Sequence, residues 1–496
     1  MSPSQPLPDP QRQVSQRLAV TVDSDALVPD SLSVSPDRQR ISYATSKRWW
    51  LVLRRQRVVA DGLEGSRYRA IMAGTPVWSP TGQRVAYAAQ AGRKWVVVAD
   101  GEESPRYDGI ATGMLRFSPD GQRLAYAARA GVQWLVVIDG RERRRYAGIV
   151  SDTLRFSPDG QRVAYGVRMG PLRRVVVDGA EGAPYDGILA GSVRFSEGGW
   201  RVAYAAQVGT HCRVVIDGEK GPRYDGIVAG SVQFSPASLR EAYVARLGAE
   251  WLVVVEGREG TRYDGISEGP PQFSLDGQHV AYAAQRGDQW CVVVDAEEGP
   301  PYDGIVTDPR FGPGGRRLAY AAQRGDQCFV VVDGQEGPPY DGIALDTPRF
   351  SPDGEHIVYV AQADGQWCMV LDGKEGPRYD GIGQRLPQFS PDGQRVAYAA
   401  QQGDQWRAIV DGEEGPPYDG ITGGPQFSPD GQHVAYAARE GTRWRVVVDG
   451  HEGPLQYDRL LGGSDAIVFD EDNRLHYVAA SGPELQVVEE QLVAAA

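Results

Sequence analysis

Residues 389–401 read FSPDGQRVAYAAQ, and the phrase returns almost unchanged at 117–127 (FSPDGQRLAYA) and 427–437 (FSPDGQHVAYA). Pro391 presets φ for a tight turn and Gly393 accepts a positive one, so Ser-Pro-Asp-Gly is a turn between two strands. In the strand that follows, Val396 and Tyr398 point to one face while Ala397 and Ala399 point to the other. Neither face is polar, so both have to be buried. One is bulky and the other shallow, which lets the large residues of one sheet fill the small face of its neighbour.

Aligned on the residue before Ser-Pro or its equivalent, the chain repeats at Val34, Trp78, Phe117, Phe156, Phe195, Phe234, Phe273, Phe311, Phe350, Phe389, Phe427 and Phe469. Most steps are 39 residues. One copy holds GPQFSPDG (424–431), QHVAYAARE (432–440) and RWRVVVDG (443–450). The fourth segment is seen best as GPPYDGI (415–421) in the copy before, leading into the next unit. Four antiparallel strands in about 40 residues are one blade of a β-propeller. The predicted fold is therefore all-β, a propeller of twelve four-stranded blades. The 62 Gly and 34 Pro agree with short strands and tight turns.

The carboxyl end, 465–490, supplies only three strands. SDALVPDSLSVSP (24–36) aligns without a gap to YDGIATGMLRFSP (107–119), so this amino-terminal segment is expected to complete the last blade and close the ring. Residues 1–16, rich in Pro, Gln and Ser, read as a disordered leader, and 17–496 as one propeller domain. The connection after the sixth copy, TRYDGISEGPPQFS (261–274), matches the others in length and chemistry. One twelve-bladed ring is thus favoured over two six-bladed rings. With sheets packed about 10 Å apart it would leave an axial opening about 15–20 Å across.

The phrases FSPDGQRVAYAA and VVVDGEEGPPYDGI resemble TolB-type, or WD-like, β-propeller repeats of bacterial proteins and of prolyl-oligopeptidase relatives. The resemblance covers residues 17–496 and implies the fold. It does not carry TolB's role, because this chain has twice the blades, no visible export signal and no additional domain. Closeness among the copies implies recent amplification of the repeat.

Enzymatic chemistry should stand out as a departure from the repeat, and little does. There is no G-x-S-x-G, no H-E-x-x-H and no EF-hand loop, so no catalytic residue, metal or cofactor is assigned. His279, His356 and His433 fall in a column where other copies carry Arg, which reads as exposed surface. Cys212, Cys291, Cys328 and Cys368 fall in the same short stretch of different copies, where others have Trp or Val, without a C-x-x-C pair, and read as small hydrophobes. The Arg-Gly-Asp triplets at 286–288 and 324–326 read as turns.

Two columns are singled out. The aspartates of the YDGI phrase, Asp25, Asp108, Asp186, Asp225, Asp264, Asp303, Asp341, Asp380, Asp419 and Asp458, are expected to accept backbone hydrogen bonds within their own loops. Arg69 and Ala147 take their place in two copies. The second column precedes the anchor: Arg116, Arg155, Arg194, Gln233, Gln272, Arg310, Arg349, Gln388 and Gln426. These are candidate channel-lining residues, an electropositive collar for an acidic peptide or other anion. The alternative is that they bond carbonyls of adjacent blades or the YDGI aspartates. Asp411 and Glu414 typify an acidic rim at the third hairpin.

The net charge of −13 opposes nucleic-acid binding, and no apolar run has the length of a membrane span. The expected function is a non-enzymatic, cytoplasmic, monomeric scaffold for a protein or peptide. The alternatives are binding or hydrolysis of a small anion in the channel, and an amplified ring of no strongly selected function.

Overall fold

A computed structural model of the chain describes residues 11–21, 26–28, 30–49, 53–236, 240–383 and 385–493. It is all-β apart from two short 3-10 turns, Ala229–Ser231 and Gly463–Asp465. Twelve antiparallel sheets follow one another along the chain. We number them blades 1 to 12.

Blade 10 shows the plan. Its innermost strand is interrupted, with Gly381–Ile382 and Gln388–Phe389 both paired to the second strand, Val396–Gln402. That strand pairs with Gln405–Val410, which pairs in turn with the short outermost strand Glu413–Glu414. Tyr418 bridges to Trp406 and ends the outer edge of blade 10, while Gly420 already opens the inner strand of blade 11. The YDGI phrase is therefore the crossing from one blade's outer edge to the next blade's inner edge.

The two faces of the VAYAA strand behave as its alternation predicts. In blade 3, Leu124, Tyr126 and Ala128 pack against Ala86, Ala88 and Val97 of blade 2. Ala125 and Ala127, on the opposite face, receive Tyr165 and Val167 of blade 4. In most interfaces the tyrosine of this strand meets the YDGI tyrosine edge to face, as in Tyr107–Tyr126 at 6.2 Å. Each large side chain so buried contributes about 1.5–3 kcal/mol.

Twelve such clusters join consecutive blades. One links blade 6 to blade 7 through Val244, Val253, Val280 and Tyr282. Another links blade 12 to blade 1 by packing Ile41 against Val478, Ala480, Leu485 and Val487. Among the described residues no cluster joins blade 1 to blade 6 or blade 7 to blade 12, as two separate rings would require. The chain is one closed ring of twelve.

Closure corrects one expectation. The strand that completes blade 12 is Gln11–Thr21, paired along its length with Glu484–Val493. The aligned segment 24–36 instead leads into Ser33–Val34, the innermost strand of blade 1. An amino-terminal strand does complete the last blade, but it lies upstream of the aligned segment, because the YDGI phrase is a crossing into the next blade's inner edge and not a fourth strand. The leader expected over 1–16 is likewise structured from Gln11 onward, with residues 1–10 outside the described residues.

Candidate functional site

The Ser-Pro-Asp-Gly turns sit on one face of the ring; the YDGI crossings and the hairpins between second and third strands sit on the other. In blade 3, Ser118 Oγ donates to Asp120 and accepts the backbone N–H of Arg123 at 2.9 Å, while Asp120 also accepts the N–H of Gln122 at 3.0 Å. Glycine is needed in these turns for two reasons. Gly160 has φ +71°, and a Cβ there would lie 2.9 Å from Asp120 Oδ1 of the preceding blade.

The YDGI aspartates have a partner that sequence reading did not identify. Asp108, Asp186, Asp225, Asp264, Asp303, Asp380, Asp419 and Asp458 accept, at 2.5–2.7 Å, the backbone N–H of the hairpin glycine of their own blade. Asp341 does the same with the N–H of Asp364. The donor lies 22 to 24 residues downstream and not in the aspartate's own loop. The aspartate thus pins the inner edge of the blade to its hairpin. Lys94 and Gly131 donate to Asp108 and hold its carboxyl below the usual range. Asp25 lies outside the described residues.

The Arg/Gln column lies on the innermost strands, as Arg116–Phe117 does in blade 3. These strands face the axis. Arg385 of blade 10 reaches Asp465 of blade 12 at 2.7 Å, passing the side-chain-free Gly423 and Gly424 of blade 11. Such a reach is possible only on the narrow side of the wedge.

The collar is not uniformly basic. Arg116 and Arg155 of adjacent blades converge on Asp152, at 3.3 and 2.9 Å. Arg310 pairs with Asp346 at 3.0 Å, and Arg349 donates to the main-chain carbonyl of the same residue at 3.1 Å. Burial and the neighbouring Arg310 lower the Arg349 pKa. Gln272 and Gln388 donate to the carbonyls of Pro270 and Leu386 within their own loops. The Gln426 amide nitrogen is buried without a hydrogen-bond partner, and Arg194 is exposed. Arg116, Arg155 and Arg310 therefore pair with inner-loop acids and not with the YDGI aspartates, while Arg349 bonds an inner-loop carbonyl.

Asp152, Asp346, Arg385 and Asp465 were missed in the sequence. The available signal was their position in a short inner loop where siblings carry Gly113, Gly191 and Gly230. Asp152 and Asp346, at φ 54° and 64°, keep the left-handed conformation of Gly113 and Gly191. Between blades 7, 8 and 9 the column borders a hollow of about 550 Å³ lined by Gln272, Asp308, Arg310 and Arg349.

The remaining columns are engaged within the fold. Asp411 pairs with Arg395 at 2.9 Å, and Glu414 accepts the hydroxyl of Tyr379 at 3.0 Å, so neither is a free rim charge. Burial, then Glu414, pushes the Tyr379 phenol up to about 12 and keeps it a donor. His279, His356 and His433 pair with Asp295, Asp372 and Asp449 at 2.5–2.7 Å, which makes them clamp residues and not merely exposed surface. The Arg-Gly-Asp arginines, Arg286 and Arg324, pair with Glu298 and Glu336 beside their turns. The four cysteines are free thiols, buried or half-buried. No metal-ligating cluster occurs among the described residues.

No protein-family model matches the sequence, and no curated protein matches it. Solved structures similar to the chain include a eukaryotic initiation factor, 14% identical over 68% of this chain and 98% of that one, with a TM-score of 0.36. TolB from Acinetobacter baumannii is 15% identical over 60% of this chain and 79% of that one, with a TM-score of 0.23. The β-propeller domain of Cps50 (Swd1) from Myceliophteria thermophila is 16% identical over 51% and 96%, with a TM-score of 0.24.

Proposed function

We propose that the ring is a non-enzymatic scaffold of TolB-like construction that holds a protein or peptide partner through its rim loops and axial column, acting as a cytoplasmic monomer. The observation that carries this reading is the inner column itself. A propeller that only filled its axis would place apolar residues there, whereas these inner strands carry arginines and glutamines whose charge inner-loop acids only partly offset. Polar, rigidly held side chains facing a shared axis suit recognition of an extended partner. The test is affinity capture from the source cells with the full-length protein and with the triple variant Arg116→Ala, Arg155→Ala, Arg194→Ala. A partner held by the parent and lost from the variant is the expected result; repeated capture of no protein overturns the proposal.

A second reading, a small anionic ligand in the axial column, is favoured by the hollow at Arg310 and Arg349. Inorganic phosphate or citrate that binds the parent but not the triple variant would support it.

A further inference from the structure

Most of the ring repeats itself, so the places where a blade departs from its siblings are informative, and in blade 4 one departure lines a cleft while two others adjoin residues that line it. The first is Ala147, where ten of the ring's blades carry the YDGI aspartate in sequence. The second is Arg173, at the position of Trp95, Trp134, Trp251 and Trp290 in sibling blades and, like them, bridged to the tyrosine that ends the outer edge. The third is Gly166, in place of an alanine or valine. A Cβ there would lie 2.9 Å from Cβ of Val150, so only glycine lets the inner loop of blade 4 settle this close.

The cleft, about 740 Å³, lies between blades 3 and 4 on the YDGI face and is lined by Arg173, by Gly148 next to Ala147 and by Val150, which packs over Gly166. Trp134, Met114, Ile149 and Val150 give it apolar walls, and Arg168 and Arg173 give it charge. Arg168 donates to the carbonyl of Ala147 at 3.1 Å and Arg173 to the carbonyl of Asp186. Among the described residues neither has a carboxylate within ion-pair distance. Asp152 also lines the cleft, but Arg116 and Arg155 occupy its carboxylate. After the outermost strand of blade 3, Arg141–Glu142, come Arg143, Arg144 and Arg145, of which Arg144 pairs with Glu181 and Arg145 with Glu142.

We propose that this cleft is a recognition site for an acidic peptide segment, one that sets an apolar side chain against Trp134 and Met114 and carboxylates against Arg168 and Arg173. Guanidinium groups with main-chain bonds but no counter-charge are pre-oriented for a carboxylate, and the size is that of a ligand cleft. The acidic balance of the whole chain favours a peptide over a nucleic acid. The proposal rests on the scaffold reading and assigns it a second site, away from the axial column.

The test measures fluorescence anisotropy of a short labelled peptide, a leucine flanked by glutamates, with the full-length protein. Two variants restore what sibling blades carry and so keep the fold: Ala147→Asp and Arg173→Trp. A third is the double variant Arg168→Ala, Arg173→Ala. Saturable, salt-sensitive binding that weakens at least tenfold in all three is the expected result. Absence of binding to the parent overturns the proposal, as does equal binding by parent and variants. Loss only in the Arg116, Arg155, Arg194 triple variant overturns the cleft but leaves the scaffold reading standing. Equal binding of a labelled single-stranded DNA overturns the peptide assignment.

Discussion

Arg395 shows how a single side chain joins two blades. It pairs with Asp411 of its own blade at 2.9 Å and donates to the carbonyls of Gly431 and Gln432 in the next, at 3.1 and 3.0 Å. Its guanidinium also lies 5.2 Å from the ring centre of Phe427. Arg84, Arg123, Arg162, Arg240 and Arg317 make the same set of contacts. At blades 7, 9 and 11 a histidine keeps the aspartate pairing without the two carbonyl bonds, and His279 also stacks on Phe311 of the next blade. Donation to the Asp372 carboxylate raises the pKa of His356, and donation to Asp449 raises that of His433. A raised folded-state value means that the stabilisation is complete below the unfolded value of about 6.5 and fades as pH rises through the folded one. The double variant His356→Arg, His433→Arg should therefore melt about 1–3 °C above the parent at pH 9, with a smaller gain at pH 6. Thermal unfolding at the two pH values decides it; an equal gain at both would remove the titration from the account.

At the scale of the element, the amino-terminal strand Gln11–Thr21 is the latch of the ring. Its pairing with Glu484–Val493 covers an edge that would otherwise offer free backbone groups. Arg12 points inward from this strand, donating to the carbonyls of Val446, Val448 and His451 and lying 3.5 Å from the buried Glu490. Glu490 also accepts the hydroxyl of Tyr477 at 2.7 Å. Removing one member of a buried pair strands the other charge, so Arg12→Ala should cost about 3 kcal/mol or more. Adding Glu490→Gln, which removes the stranded charge, should restore part of that loss. Denaturant unfolding of the single and double variants measures both. A double variant no more stable than Arg12→Ala would show that the lost backbone contacts, not the ion pair, hold the latch.

At the scale of the whole molecule, each blade buries two apolar faces and cannot stand alone, so the ring is complete only when blade 12 meets blade 1. The interface between blades 6 and 7 is built like its neighbours, and no seam divides the circle into halves. Electron-microscope images of the purified protein in axial view should show twelve sectors around one axis. Pairs of six-sector rings would contradict the packing described here.

The repeat phrase by itself determined the strand alternation, the turn chemistry and the number of blades. Those depend on local sterics and on a two-residue period, both of which each copy of FSPDGQRVAYAA carries in full. The nine Arg and Gln residues before the anchor were also legible as a polar column. Their charge balance was not, because it depends on Asp152, Asp346 and Asp465, which lie in inner loops and reach them only when neighbouring blades converge. The aspartate–hairpin ties, the latch at Gln11–Thr21 and the cleft at Arg168 and Arg173 were likewise invisible in one dimension. Each joins residues of a different strand or blade, and sequence spacing does not encode which edges meet when the ring closes.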